Sequence, residues 1–257
     1  MKPSSLYQHL PHDSAYQVKT AVEKGLARGN GEATIFFRAD DIGVPGKQFS
    51  QLINLFNIHK LPLCLAVVPT WLTDSRFQSL QSLTGPSSSQ WCWHQHGWCH
   101  KNHEANGKKQ EFGPYRPAVR QVADLLKGKN RLEKIMAKTF FPSFTPPWNR
   151  CTIDTLNGLR ELGFSAVSRS NNASPAPPAG LPDYQVNIDL HTRKEDHPQL
   201  AFNTLLLEIE QSISSGTAGI MIHHQRMDEA AVAFLEILLR TVAGTHSLHP
   251  VQFIDLT

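Results

Sequence analysis

Four histidines crowd into residues 93–103: His94, His96, His100 and His103, of 13 in a chain of 257 residues. Neutral imidazole is the commonest side-chain ligand for divalent metals, so this density points to metal binding rather than to a solvated surface. The i, i+4 spacing of His96 and His100 places both rings on one face of a helical turn, as in other two-histidine metal sites. His94 and His96 share a face if the backbone is extended, which is a second way to pair two rings. Neither spacing decides by itself, because a histidine-rich chain produces such pairs by chance. Cys99 lies inside the cluster. Thiolate competes well for zinc, but the place of Cys99 between two better-spaced histidines marks it as a bystander.

A divalent ion held by histidines is often joined by a carboxylate, and a second carboxylate beside it can act as a base. Asp40 and Asp41 offer both. Adjacent carboxylates on a strand point to opposite sides. At a strand end the chain is already turning, so one can bind an ion while the other faces the same cavity as a base. The plainer reading is that one of them caps a helix starting near Pro45.

Elements must position these groups, and the pattern along the chain alternates. Helical spacing covers Ala15 to Leu26, closed by Gly29-Asn30-Gly31, then Phe49 to His59, Val119 to Lys138 with a break at Gly128, Ile153 to Leu162, Leu200 to Ile213 and Glu229 to Val242. Short apolar runs at Thr34 to Phe37, Leu61 to Val68, Trp91 to His96, Phe140 to Phe144, Phe164 to Ser168, Tyr184 to Asp189, Ala218 to Ile222 and a closing Val251 to Ile254 read as strands. Thr84 to Gln90 and Asn171 to Pro182 read as loops. Strands alternating with helices mean βα units and a largely parallel sheet. The length suits a single domain, a distorted (β/α) barrel of about seven mostly parallel strands.

Polar residues follow the strands. Asp40-Asp41 ends the first, His94-Gln95-His96 the third, and Pro146-Pro147-Trp148-Asn149-Arg150 follows Phe144. Asp189 and His191 follow Val186, and His223-His224 follows Ile222. In a parallel α/β fold all strand C-termini open on one face, where active sites are built. Trp91, Trp93, Trp98 and Trp148 flank the proposed site, as faces for a ligand to stack on or as ordinary core packing.

The rest of the composition excludes more than it asserts. A net charge of +3 with no dense Lys/Arg block argues against a nucleic-acid partner. Four cysteines without CxxC spacing, Cys64, Cys92, Cys99 and Cys151, give no disulfide or zinc-ribbon framework. Met1 to Asp13 carries no signal-type apolar core, and Leu61 to Val68 is too short to span a bilayer, so a cytoplasmic enzyme is expected.

The ordered set Arg38-Ala39-Asp40-Asp41, His96-Gly97-Trp98-Cys99-His100, Thr145-Pro146-Pro147-Trp148-Asn149 and Ile220-Met221-Ile222-His223 resembles the polysaccharide deacetylase family (NodB-homology, carbohydrate esterase 4), most of all its signal-less bacterial branch. The resemblance runs from about Ile35 to about His224, with the motifs in the family's order. It implies Asp40 as general base, Asp41, His96 and His100 as ligands of one divalent ion (zinc, with cobalt or nickel as options), the Trp148 N–H as an oxyanion donor and His223 as general acid. Asp189 is a looser match to a residue that tunes the acid–base pair. Trp148, Asn149, Arg150 and Trp98 are the substrate-binding candidates, and the implied partner is an N-acetylated, less readily O-acetylated, carbohydrate.

Three positions depart from the family. Gly97 replaces Ser or Thr, Thr145 stands where an arginine usually holds the catalytic aspartate, and His224 replaces an aspartate. Arg38, two residues before Asp40 on a strand, points to the same face and compensates for the missing arginine; Arg150 is another candidate. Other readings remain open: a YdjC-like or other barrel amidohydrolase, which Asp40-Asp41-Ile42-Gly43 resembles; a metal- or sugar-binding protein with weak turnover; and a cysteine hydrolase using Cys99.

Overall fold

A computed structural model describes residues 4–85 and 88–257. Two positions of the Ser-rich Thr84 to Gln90 loop and the first three residues of the chain lie outside that range. The strands are β1 (Ala33–Ile42), β2 (Leu63–Val67), β3 (Trp91–His96), β4 (Phe140–Thr145), β5 (Ala166–Val167), β6 (Ile188–Asp189), β7 (Thr217–Ile222) and β8 (Leu248–Val251). The helices are α1 (Ser14–Arg28), α2 (Lys47–His59), α3 (Asp74–Thr84), α4 (Ala118–Met136), α5 (Ile153–Glu161), α6 (Pro198–Ser214) and α7 (Glu229–Ala243). Strand order is β5-β4-β3-β2-β1-β7-β6, with β8 also paired to β1. The pairs β1–β7, β1–β8, β3–β4, β4–β5 and β6–β7 are all parallel. This is the distorted (β/α) barrel class that the alternation predicts.

The chain divides into two compact units. One takes the residues up to Ala39, Gly46–Leu63 and Val186–Gln252. Within it β1 runs in register with β7, Arg38 opposite Met221 and Ala39 opposite Ile222. Helix α1 lies along α6, and α2 packs on α7. The other takes Asp40–Pro45, Cys64–Gln185 and Phe253–Thr257. Its strands β2 and β3 are buried along their whole length, the signature of a parallel sheet covered on both faces. Its core joins Phe112, Leu125, Phe144, Leu156, Leu159 and Phe164 under α4 and α5. Among the described residues, no helix is long and apolar enough to cross a membrane.

Several elements differ from the sequence expectation, each for a local reason. Strand β1 continues beyond Phe37 to Ile42, so both aspartates belong to the strand itself. Helix α4 is unbroken at Gly128, where the helix backbone lies against the Gln95 side chain. Helix α3 carries too few apolar residues to register as a periodic pattern: only Phe77, Leu80 and Thr84 are buried, and Thr73 caps it by accepting a hydrogen bond from the Arg76 N–H at 3.2 Å. Of Tyr184 to Asp189 only the last two residues pair as a strand. The closing strand lies earlier than Val251 to Ile254, with a 3-10 turn at Phe253–Leu256. Neither aspartate caps α2, whose N-cap position is Gly46.

Candidate metal centre

Asp41 sits near the end of β1 with φ +63, in the left-handed region. That turn answers the geometric problem of neighbouring carboxylates, because Asp41 no longer alternates regularly with Asp40. His100, Trp148 and Asn149 are also left-handed, at φ +55, +57 and +60. Such backbone costs about 1–3 kcal/mol where it is not glycine, and it gathers at sites where side chains must be aimed. Four sequence-selected residues share it here.

The ligand atoms converge. Asp41 Oδ1 lies 3.3 Å from His96 Nε2 and 3.1 Å from His100 Nε2. All three residues offer a ligand atom within 4.8 Å of the others. His96 Nδ1 stands 2.9 Å from the Thr145 carbonyl oxygen, which can only accept, so the ring's proton is at Nδ1. A neutral His96 therefore presents its Nε2 lone pair to a carboxylate oxygen. Two acceptors at that distance repel unless a proton or a metal cation stands between them. Backbone anchoring of the far nitrogen is the usual way a metal-ligating histidine is oriented.

The electrostatics agree with a site that draws in positive charge. Burial pushes the Asp41 carboxyl up, but hydrogen bonds from His100 and His96 outweigh it and hold it well below the usual carboxylate range. Burial likewise pushes His96 down, yet the hydrogen bond to Asp41 and the charges of Asp40 and Asp41 raise it overall. Two imidazole nitrogens and one carboxylate oxygen fit a borderline divalent ion such as zinc and leave room for further ligands.

The helical turn expected between His96 and His100 is not what brings the rings together. His96 ends β3, and a loop follows in which Gly97 takes φ +61. The loop is organised by Glu111, which no motif or spacing in the sequence marks. Its fully buried carboxylate accepts hydrogen bonds from the N–H groups of Trp98, Cys99 and His100 at 3.3, 2.7 and 3.1 Å. The Cys99 thiol donates to it as well, at 3.2 Å. Burial, with the Glu111 charge, pushes that thiol up to about 12, the opposite of what a cysteine nucleophile needs.

The other sequence candidates fall into place around this centre. His94 is fully buried, with Nε2 2.9 Å from Thr145 Oγ1 and its ring on Phe253, and it is not part of the Asp41–His96–His100 cluster. His103 carries a backbone bond to Gln110. Trp91 and Trp93 are core residues: Trp91 Nε1 donates to the Thr84 carbonyl, and Trp93 packs edge-on against Phe77. Trp98 packs against the Phe112 and Phe144 core. The aromatic rings at the site are instead Trp148, 4.5 Å from the His100 ring, and Trp71, 5.7 Å from it. Trp71 carried no sequence signal, because it lies in a short 3-10 turn after β2 that no motif marks. Arg150 reaches the Lys109 carbonyl at 3.2 Å.

Within the other unit, Arg38 is fully buried with Nη2 3.2 Å from Met221 Sδ. Ala39 and Ile222, which precede Asp40 and His223, are register partners. The Asp189 carboxylate holds a turn, accepting from the N–H groups of His191 and Thr192 at 2.9 and 2.8 Å and from the Thr192 hydroxyl. Behind His223 stands His191, whose Nδ1 accepts from the His223 N–H at 3.3 Å. Burial, with the charges of His223, His224 and Arg226, lowers His191 to about 3, so it stays neutral at physiological pH. His224 is buried edge-on against Phe49.

No family model and no curated protein matches the sequence. Solved structures do share the fold. A Mycobacterium smegmatis protein described as a polysaccharide deacetylase superposes with TM-score 0.66 at 13% identity, covering 88% of this chain and 89% of that one. A family 4 acetyl xylan esterase from Clostridium thermocellum, in complex with a cobalt ion, gives 0.55 at 11%, covering 87% and 89%. The chitin deacetylase of Colletotrichum lindemuthianum gives 0.54 at 11%, covering 82% and 81%.

Proposed function

We propose that the chain is a metal-dependent hydrolase that removes an acetyl group from an N-acetylated carbohydrate, with O-acetyl groups as poorer substrates. The observation that carries this reading is the convergence of Asp41 Oδ1, His96 Nε2 and His100 Nε2, with His96 pinned from behind by Thr145. The fold shared with deacetylases and carbohydrate esterases supports the substrate class. Zinc is the favoured ion, and cobalt or nickel suits the same ligands.

When bound, such an ion supplies Lewis acidity to the acetyl carbonyl and to the attacking water. Asp40, buried beside the triad and close enough to raise His96, takes the proton from that water. Arg38, two residues earlier on the same strand, is the candidate for the role of the missing motif arginine. The Trp148 N–H holds the developing oxyanion, a contribution of about 3 kcal/mol for such a donor. His223 protonates the leaving amine, which departs poorly as an anion. Trp148, Asn149 and Trp71 form the face against which a sugar ring stacks.

Acetate release from N-acetylglucosamine oligomers tests the reading. Wild type should release acetate, and Asp40→Ala should lower the rate roughly 100-fold or more, the usual reach of a general base. Equal rates would remove Asp40 from the mechanism. Stoichiometric metal without acetate from any acetylated sugar would make the chain a binding protein.

A further inference from the structure

A metal ligand on a loop is only as good as the loop's hold on it. His100 lies four residues past the end of β3, in left-handed backbone that costs energy to maintain. Nothing in regular secondary structure fixes that conformation. The three consecutive N–H groups of Trp98, Cys99 and His100 all point one way, toward Glu111, making a concave anion-binding arrangement of backbone donors. The anion that fills it is a side chain of this same chain. It is fully buried and carries a fourth hydrogen bond from Cys99 Sγ.

Glu111 is itself anchored from both sides. His103 N donates to the Gln110 carbonyl at 2.9 Å, Thr152 N to the Phe112 carbonyl at 3.0 Å, and Phe112 is fully buried in the core. Gly97 completes the arrangement. A Cβ at that position would stand 2.2 Å from Glu111 Oε2 and 2.5 Å from Pro147 Cγ, so only glycine admits the carboxylate. Glu111 and Gly97 therefore require each other.

We infer that Glu111 is a positioning residue for the metal ligand His100, and that Gly97 is glycine because this carboxylate occupies the space of its side chain. The inference rests on the metal reading above. Glu111→Gln keeps the shape but turns one acceptor oxygen into a donor. It opposes either the N–H groups of Trp98 and His100 or those of Cys99. Groups that orient metal ligands in this way typically carry a 10–100-fold effect on metal affinity.

The experiment is a titration of the metal-stripped full chain with zinc alone, in wild type, Glu111→Gln, His100→Ala and the double variant. Affinity should fall 10–100-fold in Glu111→Gln. Glu111→Gln should add little once His100→Ala has already removed the ligand, which a general loss of stability would not produce. An undiminished affinity in Glu111→Gln, or full additivity of the two changes, would overturn the inference. Gly97→Ser should weaken zinc binding in the same range, and wild-type affinity in that variant would count equally against it. Amide hydrogen exchange on the metal-free wild type covers the case of a variant that does not fold. The amides of Trp98, Cys99 and His100 should be protected, and exchange at unstructured-loop rates would overturn the role of Glu111. If wild type binds no zinc while these amides are protected, the metal reading fails and the loop architecture stands.

Discussion

Gly128→Ala is the substitution whose sign separates packing from propensity. In an exposed helix interior it would stabilise by about 1 kcal/mol, because alanine is the better helix former. Here a Cβ would stand 2.2 Å from Gln95 Nε2 and 2.8 Å from Gln95 Cδ. Gln95 is fully buried, so its amide has no solvent to swing into. That amide donates to the Gly97 carbonyl at 3.0 Å and to the Leu125 carbonyl at 3.2 Å. Overpacking costs roughly 1–3 kcal/mol and each lost hydrogen bond about 1 kcal/mol, so with the helix gain subtracted the net loss is about 2–4 kcal/mol. For a chain of this size that lowers the melting temperature by roughly 5–10 °C. Urea unfolding of both proteins measures it. Because Gln95 holds the Gly97 carbonyl, zinc affinity should fall as well. A variant that is as stable as wild type, or more stable, would refute the packing argument.

The metal-free protein should lose stability as pH rises. His96 is raised above its unfolded value, so its contribution is fully present below about pH 6.5 and is lost as pH climbs through the raised value. Asp41 is lowered, so its contribution holds above about pH 3.9 and is lost only as pH falls below that. Melting curves of stripped protein from pH 5 to 9 check this, and zinc should abolish the decline; a rise with pH in the stripped protein would contradict it. The catalytic rate should be bell-shaped in pH, since Asp40 must be ionised while His223 is protonated, and a flat profile from about pH 5 to 9 on a verified substrate counts against the pair. Asp189→Ala should cost about 1–3 kcal/mol in urea unfolding, from the loss of three bonds in its turn, while leaving zinc affinity unchanged.

The periodic elements were legible because their apolar faces are buried. The apolar pattern marks Trp91–His96 to the residue, and α5, α7 and β7 to within a residue or two. Helix α3 was not, because a helix on the surface with three buried residues leaves no stripe to read. The ligands Asp41, His96 and His100 were legible from their types and order, but the reason for their convergence was not. A helical turn was inferred from spacing, whereas the actual device is a left-handed loop folded around Glu111, fifteen residues from the end of the third strand and without any motif of its own. A lone glutamate in a polar stretch has the same local signature as a solvated one. In the sequence Gly97 stands only as a departure from Ser or Thr, whereas in the structure it marks the space taken by that carboxylate. Trp71 was equally silent, since stacking partners are set by tertiary placement and not by spacing.

Metal content under controlled ligand loss tests the central claim most directly. Purified wild type and His96→Ala are stripped, titrated with zinc by calorimetry and checked by elemental analysis. The account predicts one ion per wild-type chain, with protons released from the Asp41–His96–His100 cluster as the ion binds, and no stoichiometric ion in His96→Ala. A full metal complement in His96→Ala would contradict it.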